Sequence, residues 1–142
     1  MFFVHPIFQA LGTLLAFYVL GLGISRFRML HLQQKARFNW KLHVYLGITC
    51  ACIWLMGICG GLYMVKTNWH GLLITGYHGK VGLLTVPFIL FALISGLYMH
   101  IKKKKRLLLP LLHASLNLAM VLLALFQFYT GIYILQTYVL GI

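Results

Sequence analysis

Four histidines in this chain are each followed by a glycine 18 residues later: His5 by Gly23, His43 by Gly61, His78 by Gly96 and His113 by Gly131. Eighteen residues make five turns of α-helix, so each glycine returns to its histidine's face ~27 Å further along. A neutral imidazole is a good metal ligand, and glycine leaves a gap where a side chain would stand. One helix face bearing both suits the binding of flat cofactors at two depths. Glycine is only 14 of 142 residues, so four coincidences at one offset are unexpected by chance.

The elements carrying these residues are apolar. The chain is 62% hydrophobic and 8% charged, with mean hydropathy +0.93, well outside the range of a water-soluble domain. Stretches at about 5–24, 40–65, 78–101 and 107–140 reach the ~20 apolar residues that span a bilayer. Backbone groups in lipid must bond internally, so all four are expected to be helices, with short loops making neighbours antiparallel. The expected fold is all-α: a transmembrane four-helix bundle running up-down-up-down, with residues 1–142 forming a single membrane domain. The N-terminus, Met1-Phe2-Phe3-Val4-His5-Pro6, lacks a basic leader region, and the first stretch is read as a retained helix. Pro6 and Pro110 suit first turns, whereas Pro87 falls inside the third stretch, where a kink is expected.

Asp and Glu are absent. Within this chain that excludes carboxylate acid/base pairs, a Ser-His-Asp triad, carboxylate cages for Ca or Mg and an acidic proton relay. The net charge of +12 points to topology rather than to nucleic acid, because the cations cluster between apolar stretches. Arg26, Arg28, Lys35, Arg37 and Lys41 form one cluster and Lys102 to Arg106 the other, while only Lys66 and Lys80 lie on the opposite side. The positive-inside rule then places both termini on the non-cytoplasmic side of an integral, multi-pass protein. Trp40 and Tyr45 should mark the inner interface and Trp69, Tyr77 and Tyr138 the outer one. Cys50, Cys52 and Cys59 share one apolar stretch, so they are expected to be small packing residues rather than a disulfide framework.

Antiparallel helices sort the histidines into two pairs. His5 and His78 open the first and third helices on the outer side; His43 and His113 lie near the starts of the second and fourth on the inner side. Alternate helices of a bundle sit diagonally, leaving a cofactor-sized space between them. Gly61 and Gly131 then reach the outer level, and Gly23 and Gly96 the inner one. The seams through these residues, such as His43, Gly47, Cys50, Trp54, Gly57 and Gly61, are mostly small or polar near the ends and bulkier in the middle. Leucine-rich packing seams differ, and a seam that must clear a porphyrin at each end would have this form. Two haem b groups, each held by two axial histidines, fit best and favour electron transfer over oxygen chemistry. The absence of Cys-x-x-Cys-His argues against covalent attachment. Lys80, Arg26, Lys41 or Lys104 could meet the propionates. Zinc or copper would be under-coordinated by two ligands per level. A histidine-based solute carrier and a cofactor-free membrane anchor stay open as alternatives. His31, His70 and His100 read as solvated or interfacial groups, the last two also as candidate partners for a quinone or a propionate. Gln127, Trp54, Tyr18 and Thr85 are further polar or amphipathic groups within the span.

The sequence resembles the cytochrome b561 family. The matching pieces are Val4-His5-Pro6, Lys41-Leu42-His43-Val44-Tyr45-Leu46-Gly47, Tyr77-His78-Gly79-Lys80-Val81-Gly82 and Pro110-Leu111-Leu112-His113-Ala114-Ser115-Leu116-Asn117, in order over nearly the whole chain. The resemblance implies a transmembrane electron carrier with two b haems, the outer on His5 and His78 and the inner on His43 and His113. It leaves open whether the chain is itself an oxidoreductase, such as a quinol or metal reductase, or the haem subunit of a larger complex. The candidate partners are therefore the membrane, a quinone and redox subunits.

Overall fold

The computed structural model describes residues 2–142; Met1, part of the N-terminal reading above, lies outside the described residues. Four helices follow one another: α1 (Val4–His31), α2 (Trp40–Trp69), α3 (Tyr77–Ile101) and α4 (Leu108–Ile134), the last continuing into a π-helical segment, Leu135–Leu140. All four are long and apolar enough to cross a membrane. α1 runs past its apolar stretch to His31, because no glycine or proline interrupts Ser25 to His31. α2 starts on the side chain of Asn39, which accepts the Leu42 N–H at 3.1 Å. It ends on His70, whose left-handed backbone (φ 56°) terminates the helix. Pro6 and Pro110 fall within first turns. Pro87 lies inside α3, where it leaves the Leu83 carbonyl without its usual helical donor.

The connectivity gives an antiparallel bundle. α1 packs on α2 and α4, and α3 on α2 and α4, while α1 with α3 and α2 with α4 form the diagonals. One end of the bundle carries the chain termini (the terminal end); the other carries the two clusters of Lys and Arg (the basic end).

The main buried cluster lies in the middle of the span. Ala16, Cys50, Ala51, Trp54, Ile89, Met120, Val121 and Ala124 form one buried cluster, with Ile89 only 1% exposed. Outward-facing residues such as Leu14, Met56, Ile94 and Leu122 are exposed, and lipid is the solvent that suits them. The three cysteines are free. On the α1–α2 contact, Cys50 Sγ donates to the Gly12 carbonyl at 3.3 Å, and Gln9 Nε2 to the Trp54 carbonyl at 3.3 Å.

Trp54 can approach α1 because Gly12 has no side chain; a β-carbon there would stand 2.9 Å from Trp54 Cδ1. Gly12→Val is therefore expected to destabilise the bundle by about 1–3 kcal/mol, the range for overpacking. Gly60→Val, at a position open to its surroundings, should stay close to wild type. Thermal unfolding of the two variants in one detergent checks this.

Candidate functional site

The two diagonals each bring a pair of imidazoles together, edge towards face. At the terminal end the rings of His5 (α1) and His78 (α3) have centroids 6.2 Å apart, with planes at 86°. At the basic end His43 (α2) and His113 (α4) are 6.4 Å apart, with planes at 68°. All four side chains are half-buried. Sequential helices are antiparallel, so a histidine early in α1 can meet only one early in α3.

Each imidazole is fixed from behind by the helix next to it. His5 Nδ1 donates to the Gly57 carbonyl of α2 at 2.7 Å, and His43 Nδ1 to the Val19 carbonyl of α1 at 3.2 Å. His78 Nδ1 pairs with Thr130 Oγ1 of α4 at 3.0 Å, and His113 Nδ1 with Ser95 Oγ of α3 at 2.8 Å. A carbonyl accepts only, so His5 and His43 carry their proton on Nδ1 and leave the Nε2 lone pair free. A ring whose Nδ1–H is tied in this way is oriented to ligate through Nε2.

Glycine is needed for this arrangement at the terminal end and is in ordinary contact with it at the basic end. A β-carbon on Gly61 would lie 2.8 Å from the ring of His5, and one on Gly131 3.2 Å from His78. On Gly96 it would lie 3.4 Å from His113, and on Gly23 3.5 Å from His43. Each glycine thus shares a level with a histidine pair, and its immediate neighbour is the imidazole of the adjacent helix. The space it leaves lies against that ring.

A model of the family described as Eukaryotic cytochrome b561 matches residues 4–138, nearly the whole chain. The chain belongs to the cytochrome b561 family. No curated protein and no solved structure matches it. The family binds haem b, and membership supports a role in transmembrane electron transfer.

The donor geometry of this b561-family chain fits that group. Each level brings two imidazoles within 6.4 Å of one another, centroid to centroid, and these residues would hold the iron of a haem b. Among the described residues no group of three or more His, Cys, Asp or Glu could hold a metal ion. Two imidazoles per level suit an iron whose remaining ligands come from a macrocycle. Among the described residues two buried polar atoms lack a partner, Gln127 Nε2 and His100 Nδ1. Gln127 lies one helical turn before Gly131 and beside Gly82, while His100 lies one turn after Gly96. Each is thus about one turn from one of the two levels.

The other histidines have separate surroundings. His31 is exposed and packs its ring on Phe27 at 4.8 Å; His70, also exposed, caps α2. His100 packs on Trp40 at 5.1 Å, and Lys103 covers the same indole at 4.8 Å. At this end Arg26 lies over the ring of Phe38, which packs against His43 at 5.5 Å. Ser95 and Thr130 were not anticipated from the sequence. Their signal was a hydroxyl residue directly before a seam glycine, in Ser95-Gly96 and Thr130-Gly131. A cavity of about 300 Å³ opens at the terminal end beside His78, with walls that include Thr75, Tyr77, Thr130, Thr137 and Tyr138.

The graded clearances give a graded expectation. Gly61→Ala should lower the haem b content per chain most, Gly131→Ala less, and Gly23→Ala and Gly96→Ala least. Gly60→Ala, whose β-carbon meets nothing within 4 Å, should leave the content unchanged. Absorbance of equal amounts of purified protein reads the series.

Proposed function

We propose that the chain carries electrons across the membrane on two haem b groups, one bound by His5 and His78 and the other by His43 and His113. The observation that carries this reading is the pair of imidazoles brought together from diagonal helices at each end, with Nδ1 tied behind each ring. Haem b with two axial imidazoles supplies one-electron exchange and keeps no position open for oxygen. The protein's part is to hold the four rings, to seat them against Gly61, Gly131, Gly23 and Gly96, and to separate the two levels. Five helical turns set those levels ~27 Å apart along the bundle, and Trp54, Ile89 and Met120 fill the interval and exclude water.

The charge distribution supports an orientation with the basic end in the cytoplasm and both termini on the opposite side. The cavity beside His78 supports a quinol as the electron donor or acceptor at the terminal end. Its walls are apolar with several hydroxyl groups and include no charged side chain, which suits a neutral ring bearing hydroxyls better than an anion.

Protein purified from haem-replete cells is expected to give a reduced-minus-oxidised spectrum of b type. A pyridine haemochrome assay should find two haems per chain. His43→Ala should retain one haem, and His43→Ala combined with His78→Ala should retain none. A correctly folded but colourless protein would refute the proposal and leave the membrane-anchor reading in its place.

A further inference from the structure

The four histidine seats are of two kinds, and the difference follows the two halves of the chain. Within the α1–α2 hairpin the acceptor behind each imidazole is a backbone carbonyl, of Gly57 for His5 and Val19 for His43. Each carbonyl lies four residues before the glycine that faces the same ring, so it already accepts a helical N–H and uses its second lone pair for the imidazole. Within the α3–α4 hairpin the acceptor is a side-chain hydroxyl, Ser95 for His113 and Thr130 for His78. Each lies one residue before the glycine facing that ring.

The hydroxyls have their own protons engaged. Ser95 Oγ donates to the Phe91 carbonyl at 2.5 Å, and Ser95 is 4% exposed. Thr130 Oγ1 donates to the carbonyls of Phe126 at 3.1 Å and Gln127 at 3.3 Å. With its single proton turned back to its own helix, each oxygen is left to accept from the imidazole. Ser95 and Thr130 therefore do by side chain what the other hairpin does by backbone. Because the histidines pair along diagonals, each level receives one imidazole of each kind.

We propose that Ser95 and Thr130 are positioning residues, each fixing the tautomer and the donor strength of one axial imidazole, Ser95 through His113 and Thr130 through His78. This rests on the two-haem reading above. An acceptor on Nδ1–H makes Nε2 the more basic ligand and favours oxidised iron. Removing the hydroxyl weakens the ligand, raises the midpoint potential at that level and loosens the group held there by roughly 10–100-fold, the usual cost of losing such a support. The partner imidazole at each level, seated on a carbonyl, keeps its orientation. Thr130 is also a wall of the terminal-end cavity, so only that seat lies within reach of a molecule bound there.

The test is a spectroscopic redox titration of the purified haem-loaded protein. Ser95→Ala is expected to raise one of two midpoints and leave the other at its wild-type value, and Thr130→Val should move the other one. The hydroxyl-retaining Ser95→Thr and Thr130→Ser should restore wild-type midpoints, which a simple loss of packing would not do. Should Ser95→Ala lose its haem, Ser95→Cys, whose thiol is a weaker acceptor, should give a smaller shift in the same direction. Full haem content with both midpoints unmoved in Ser95→Ala and Thr130→Val, or an unshifted Ser95→Cys, overturns the proposal and leaves the two-haem reading intact. A wild-type protein without haem overturns that reading first.

Discussion

An imidazole that is to face a partner across a bundle must be held from behind, and the helix behind it must come close enough to do so. That requirement organises this molecule. A helical histidine can rotate about two torsions, and only an acceptor at Nδ1 fixes both its ring plane and its free nitrogen. At Gly61 the approach is so close that a single β-carbon would enter the space of the His5 ring. The adjacent helix thus contributes both a missing side chain and a hydrogen-bond acceptor, twice in each hairpin. The histidines face one another along the diagonals, but their support comes from sequential neighbours.

The 18-residue interval between histidine and glycine was legible because five turns of helix return a residue to its own face, and because lipid leaves these stretches no alternative to helix. The all-α bundle, its order and its diagonals follow from the same two facts. The seats were less legible for specific reasons. Two of the acceptors, the Gly57 and Val19 carbonyls, are backbone atoms, which every residue possesses and no sequence pattern marks. The other two, Ser95 and Thr130, sit one residue off the seam, where a helix-face reading does not look. The glycines suggested room at two levels, and no sequence pattern said that the nearest protein group to each would be an imidazole of the adjacent helix. His70 was read by its chemistry, but its backbone conformation gives it the role of ending α2.

The absence of carboxylates governs both ends. With no Asp or Glu in the chain, no side-chain carboxylate is available to pair with Lys or Arg, and several of the cations rest on aromatic rings instead. Arg26 covers Phe38, Lys103 covers Trp40 and Arg106 covers Tyr98, at 5.0, 4.8 and 4.7 Å. Such contacts place a cation at the membrane boundary without neutralising it. The basic end therefore keeps its charge available to anions, among them lipid phosphates, which a lattice of internal ion pairs would have consumed.

The middle of the bundle completes the logic by being unlike its ends. Trp54, Ile89 and Met120 are buried where the seams are bulkiest, and the histidine levels, each with two glycines, lie above and below them. A bundle packed tightly along its whole length would leave no space for a group between the imidazoles. One left open along its whole length would admit water and lose the contacts that hold its helices together. A main cluster at the centre gives the molecule one cohesive region between the two histidine levels. The helix pairs are then held at the levels by the same hydrogen bonds that orient the imidazoles, so the seats contribute to the fold as well as to the candidate site.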